Sequence, residues 1–228
     1  GRRGRRRGGG GAGRALGVPQ VLGAGKLPVR MTVLGPAVEN AMAANSYRPG
    51  EVLRTRKGIS VEIDNTDAEG RMVLCDAMAY AVEQSPALLL DFSTLTGAAR
   101  VALGPDLPAL FCNDERLAAE YLDAGTRVRD PIWRLPLWQP YASYLNSNIA
   151  DLVNSGGSRM GGALLPGLLL RPFLPHGCPG AHTQGCGWTH PRPPGRAAGR
   201  PAQCPPTSDG SWRTTYPAMA VSAFLAEM

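Results

Sequence analysis

The sequence predicts an α/β fold: a mixed, mostly parallel sheet flanked by helices, with irregular N- and C-terminal ends. Three observations predict it. Segments with period-two alternation are followed by segments with helical spacing, which is the pattern of layered α/β proteins. Charge is uneven along the 228 residues: 1–30 hold eight Arg/Lys and no acid, whereas 31–163 hold eleven against sixteen Asp/Glu. The net +6 therefore belongs to the ends, and the middle reads as an ordinary, mildly acidic globular segment. Finally, eleven of the 21 prolines fall after residue 163, where regular patterning fades.

Taken in order, the chain divides into a disordered Arg/Gly-rich tail (1–25), a folded zone (26–163) and a Pro-rich irregular segment (164–228). Gly1-Arg-Arg-Gly-Arg-Arg-Arg7 and the glycines after it cannot bury enough apolar area to offset their ordering entropy. No aromatic residue is interleaved for base stacking, which argues against nucleic-acid binding there. Pro28-Val-Arg-Met-Thr-Val-Leu34 alternates and is β-branched, so it reads as a strand. Gly50 to Leu53 reads as a turn into a short strand, and Ile59-Ser-Val-Glu-Ile-Asp64 as a second strand.

Met72 to Glu83 has apolar residues at helical spacing. Ala87-Leu-Leu-Leu90 is short, continuous and apolar, the signature of a buried strand. Asp114 to Ala124 reads as a helix capped by Asn113 or Asp114, and Trp138 to Val153 can hold a further helix. Leu164 to Leu170 starts like a buried helix, with Pro166 and Pro172 expected to interrupt it. After Pro175 neither period persists.

No apolar run approaches the roughly 18–20 residues that span a bilayer, and the Arg/Gly start lacks a secretory signal's apolar stretch. Five cysteines, an odd number in a long chain, do not suggest a disulfide framework. A reducing, cytoplasmic setting without membrane association is expected. His176, Cys178, His182, Cys186, His190 and Cys204 cluster, but their spacing matches no standard zinc knuckle and reads as chance accumulation.

The richest stretch is Asn65-Thr-Asp-Ala-Glu-Gly-Arg71. It sets Asp67, Glu69 and Arg71 at alternate positions, so an extended backbone would send all three side chains to one side. Two hard oxygen donors beside a cation suit half of a two-metal hydrolase site. Read alone, the same acids also fit the start of a capped helix.

The neighbouring segments sharpen this. Ala37-Val-Glu-Asn40, Asn45-Ser-Tyr-Arg-Pro-Gly50, Asp91-Phe-Ser-Thr-Leu-Thr-Gly-Ala98, Ile149-Ala-Asp151 and Ser158-Arg-Met-Gly-Gly162 accompany the heptapeptide. Over about residues 27–163 the chain resembles the leucyl (cytosol) aminopeptidase family of dinuclear metallopeptidases. The resemblance implies part of that catalytic domain and the removal of N-terminal, preferably apolar, residues from peptide substrates. It implies that Asp67 and Glu69 are ligands to two divalent ions, zinc or manganese, with Glu69 bridging. It further implies that Arg71 is catalytic through a bound bicarbonate, and that Thr94, Leu95 and Gly97 position the substrate. Homo-hexamers are the implied assembly.

The resemblance stops at both ends. The family has a lysine and aspartates upstream that complete its ligand set, whereas here the first acid is Glu39 and no Asp precedes Asp64. The alternative is a catalytically impaired or inactive fragment of that family, acting at most as an interaction module. The biased ends would then reflect reading-frame disruption or replacement segments.

Overall fold

The computed structural model describes residues 17–19, 28–36, 38, 46–128, 130–158, 160–174 and 177–185. In chain order its elements are β1 (Val52–Arg54), β2 (Ser60–Glu62), α1 (Glu69–Val82), β3 (Leu89–Ser93), α2 (Ala98–Leu103) and β4 (Ala109–Cys112). They continue with α3 (Glu115–Arg127), β5 (Trp133–Arg134), β6 (Leu152–Val153), α4 (Leu165–Leu170) and β7 (Gly180–Gln184). Short 3₁₀ turns occupy Thr66–Ala68, Gln139–Leu145 and Arg171–Phe173. The described residues form two compact units, one drawn from 36–89 and 136–179, the other from 90–135 and 180–185 with the described residues before 36.

In the first unit, β2 is the middle strand of three, antiparallel to β1 and parallel to β6. The β1–β2 hairpin closes because Gly58 adopts φ +88°, which lets its N–H donate to Thr55 O at 2.8 Å. Thr55 N and Oγ1 both donate to Ile59 O, which fixes the register. The alternation of β2 then buries Val61 and Ile63 against Met72, with Tyr47, Leu53, Ile59 and Leu152 around them.

Helix α1 buries Arg71, Met72, Cys75, Met78 and Ala79, one face at three- and four-residue spacing. It begins three residues before the expected Met72 because the Asn65 side chain accepts from Asp67 N and starts a helical turn. Helix α4 packs on α1. Its Leu165, Leu168, Leu169 and Leu170 are all buried, as is Phe173. Pro166 does not interrupt it: the proline sits in the first turn, where its missing N–H is not needed.

β2 and β6 are further tied by Asp151, whose Oδ2 accepts from Ser60 N at 2.8 Å and Ser60 Oγ at 2.6 Å. These two hydrogen bonds, the hydroxyl's first, hold the Asp151 carboxyl below its ordinary pKa. A carboxyl depressed by folding stabilises the native state above its unfolded value, about 3.9, and that contribution fades as pH falls through the folded value. Asp151→Asn is therefore expected to lower stability at neutral pH and flatten the acid limb of a stability–pH curve, with little change below about pH 3. An unchanged acid limb would refute this role.

In the second unit the sheet order is β3-β7-β4-β5. β7 runs antiparallel to β4 in the register Ala109↔Gln184 to Cys112↔Ala181, and β5 is parallel to β4. Gly185 N extends the β3–β7 edge to Ser93 O at 2.8 Å. Helix α3 turns Leu117, Ala118, Tyr121 and Ala124 inward. Arg116 and Glu120, four residues apart, pair on its solvent side. Asp114 caps it, accepting from Leu117 N at 2.7 Å, as one of the two caps expected.

The mixed α/β class holds, with four differences in detail. Strands divide between two sheets, and among the described registers antiparallel pairs are as frequent as parallel ones. Pro28 to Leu34 is not a strand: no described strand pairs with it, and Val29, Met31 and Val33 stay exposed. Trp138 to Val153 is a 3₁₀ turn followed by β6, because Pro140 and the polar Asn146-Ser-Asn148 break offer no continuous helix. The segment expected to be irregular from residue 164 supplies α4 and the interior strand β7. Most of residues 1–27, and all of 186–228, lie outside the described residues.

Candidate active-site loop

The β2–α1 connection carries the heptapeptide. It is not extended: Thr66–Ala68 is a 3₁₀ turn running into α1, so Asp67, Glu69 and Arg71 leave a helical backbone. The three side chains accordingly part company. Asp67 is exposed, Glu69 is half-buried at the first position of α1, and Arg71 is buried. Burial first, and the Asp67 charge in addition, raise the pKa of the Glu69 carboxyl. The Tyr47 hydroxyl is also raised, by burial first and then by Glu69.

Arg71 turns towards the loop after β6. Its Nη1 donates to Asn154 O at 2.9 Å and Ser155 O at 3.4 Å. Burial lowers its pKa, opposed by Asp64 and Cys75, and its buried Nε has no partner among the described residues. Asn154, fully buried, faces the heptapeptide from the other side. Its Oδ1 accepts from Asp64 N and Asn65 N, and its Nδ2 donates to Asn65 O at 2.8 Å. Asp64 Oδ1 returns the contact by accepting from Ser155 N at 3.0 Å.

Thr94, Leu95 and Gly97 belong to the other unit, between β3 and α2. Leu95 N donates to Gln184 Oε1 at 2.9 Å, and Gln184 Nε2 donates to Thr96 O at 3.3 Å. The buried Gln184 of β7 therefore holds this segment by its backbone. Gly97 precedes α2, and a Cβ placed there would meet nothing within 4 Å. Asp91 at the centre of β3 is buried and paired: His182 Nδ1 lies 2.6 Å from its Oδ1. His182 also stacks on Phe111 with ring centroids 5.6 Å apart.

The structure thus places Asp67, Glu69, Arg71 and Asn154 in one unit, with only Arg71 of the three side chains on Asn154, and sets Thr94, Leu95 and Gly97 with Gln184 in the other. Asn154, Gln184 and the Asp91–His182 pair were missed by sequence reasoning. A buried polar residue in a short strand or loop carries no periodic signal of its own. Of the His/Cys cluster, Cys178 turns its Sγ to Pro86 O, and His176, Cys186, His190 and Cys204 lie outside the described residues.

Asp67 and Glu69 carry hard oxygen donors two residues apart at the head of α1. They do not reach the ligand number two ions need. Among the described residues no His, Cys, Asp or Glu completes a group of three. Nor, among those residues, is any helix long and apolar enough to cross a membrane.

The family description "Cytosol aminopeptidase family, catalytic domain" matches residues 4–203. A probable cytosol aminopeptidase of Xylella fastidiosa is 45% identical over 165 residues, covering 72% of this chain and 32% of the relative. One from Xanthomonas oryzae pv. oryzae is 48% identical over 148 residues, covering 65% and 30%. The chain spans about a third of the length of these curated relatives. Its fold matches the crystal structure of a cytosol aminopeptidase from Coxiella burnetii with a TM-score of 0.86 at 47% identity, covering 96% of this chain and 45% of that one. A tomato leucine aminopeptidase mutant matches at TM-score 0.79 and 30% identity, covering 96% and 40%.

Proposed function

The chain belongs to the cytosol aminopeptidase family, and from that premise we propose that it carries the carboxylate segment of a metal-dependent aminopeptidase releasing N-terminal, preferably apolar, residues from peptides. The observation that carries this reading is the pinned heptapeptide: two carboxylates at the head of α1, Glu69 half-buried and Asp67 exposed, on a loop locked by Asn154. Asp67 and Glu69 would hold a divalent ion, zinc or manganese. Such an ion polarises a carbonyl and lowers the pKa of bound water. Arg71, anchored through Nη1, keeps its unpartnered Nε for an anion such as bicarbonate. Thr94, Leu95 and Gly97 would orient the peptide through backbone groups. Cytoplasmic location and homo-hexameric assembly complete the proposal; the names of the relatives support the first.

One observation favours a second reading. Two carboxylates are fewer than a dinuclear centre requires, and no other described ligand joins them. On that reading the chain alone is catalytically impaired and acts as an interaction module. Calorimetric titration with Mn²⁺ and Zn²⁺, paired with hydrolysis of a leucyl chromogenic amide, separates the two. Metal-dependent turnover lost on chelation supports the first. Binding of a single weak ion without turnover supports the second, and no binding at all removes the metal role from both.

A further inference from the structure

Asn154 is 0% exposed and lies far in sequence from the heptapeptide, yet its amide is occupied almost entirely by it. Oδ1 accepts from Asp64 N at 3.1 Å and Asn65 N at 3.2 Å, and Nδ2 donates to Asn65 O at 2.8 Å. Its backbone is committed too: Asn154 N donates to Glu62 O at 2.9 Å, and Asn154 O accepts from Arg71 Nη1 at 2.9 Å. A carboxamide has two donors and two acceptor lone pairs, so three of its four capacities meet two consecutive residues. Aspartate has the same shape but no donor, and would set a carboxylate oxygen against the Asn65 carbonyl. Neither serine nor leucine can reproduce the fork.

We propose that Asn154 is a positioning residue for the carboxylate pair. It clamps the backbone of Asp64 and Asn65, and Asn65 in turn caps the turn from which Asp67 and Glu69 project. Through its carbonyl it also sets Arg71, so one residue fixes three groups that the proposed chemistry uses. The ligand role of those groups rests on the aminopeptidase reading; the clamp itself does not.

The test uses the full chain with Asn154→Asp and the smaller Asn154→Ser, and Phe173→Ala as a control destabilised away from the loop. Hydrogen exchange of the Asp64, Asn65 and Asp67 amides reports the clamp, and Mn²⁺ titration reports its consequence. Both Asn154 variants are expected to speed exchange selectively at those amides and weaken Mn²⁺ binding roughly 10–100-fold, the usual effect of losing a group that supports a ligand. The control is expected to leave Mn²⁺ affinity within about twofold. Unchanged exchange at Asp64 and Asn65 would overturn the clamp. Faster exchange with unchanged affinity would reduce Asn154 to a structural role and overturn the proposal. If the parent chain itself binds no Mn²⁺, the aminopeptidase reading fails, and ¹³C shifts of the Asp67 and Glu69 carboxyls in Asn154→Asp decide whether Asn154 positions them. Should Asn154→Asp not fold, Asn154→Ser carries the same readouts.

Discussion

Replacing His182 by alanine is expected to destabilise the sheet that contains it by about 1–3 kcal/mol, the cost typical of leaving a buried hydrogen-bonding group without its partner. Asp91 and His182 are 8% and 5% exposed, and their contact is 2.6 Å. Truncation leaves the carboxylate without its described partner, and also removes the ring that stacks on Phe111. Against a typical total of about 5–15 kcal/mol, that is a large loss. A shift of the urea midpoint of this order, with an unchanged slope, would bear it out. The sharper check is the double variant Asp91→Leu with His182→Leu. Removing both polar partners is expected to cost less than removing either alone. If the double variant is as unstable as the sum of the singles, the pair is not coupled.

Changing Glu69 to glutamine is expected to have its largest effect on metal binding and a small one on stability. Glutamine keeps the shape and removes the charge. Divalent affinity should fall at least as far as the roughly 10–100-fold seen when a supporting group is lost, because here an oxygen donor and its charge disappear together. Stability should stay within about 1 kcal/mol, since two modest effects oppose one another. The lost acid at the start of α1 costs some helix-dipole stabilisation, while relief of Glu69's burial cost first, and of the Asp67 repulsion in addition, returns some. Titration with Mn²⁺ and thermal unfolding of the same preparation measure both. Unchanged affinity would remove Glu69 from the proposed ligand set.

These residues also show what the amino-acid string makes visible. Helices α1 and α3 were legible because each needs one apolar face, and Asp114 was legible as a cap because its short carboxylate satisfies a free N–H of the first turn. Val61 and Ile63 were legible through alternation. β7 was not. It reads Gly-Ala-His-Thr-Gln, and all five residues are buried. Its His182 meets Asp91 on the neighbouring strand and its Gln184 holds the Leu95–Thr96 backbone beyond it, so no hydrophobic period marks it. Pro28 to Leu34 failed the other way: its pattern suits a strand, but pairing is a tertiary event, and no described partner meets it. In the heptapeptide, acids at alternate positions fit an extended strand and a helix start equally well. Asn65 settles the matter by capping, and only the fold reveals Asn154 opposite it.

The placement of β7 bears on how the chain is made. Synthesis proceeds from the N-terminus, so β3 and β4 leave the ribosome long before residues 180–184 exist. Until then the two strands have no shared neighbour, and their open hydrogen-bonding edges face other nascent chains. The sheet can close only after its interior strand has been translated, so a chain ending before residue 180 is expected to aggregate where the longer chain does not.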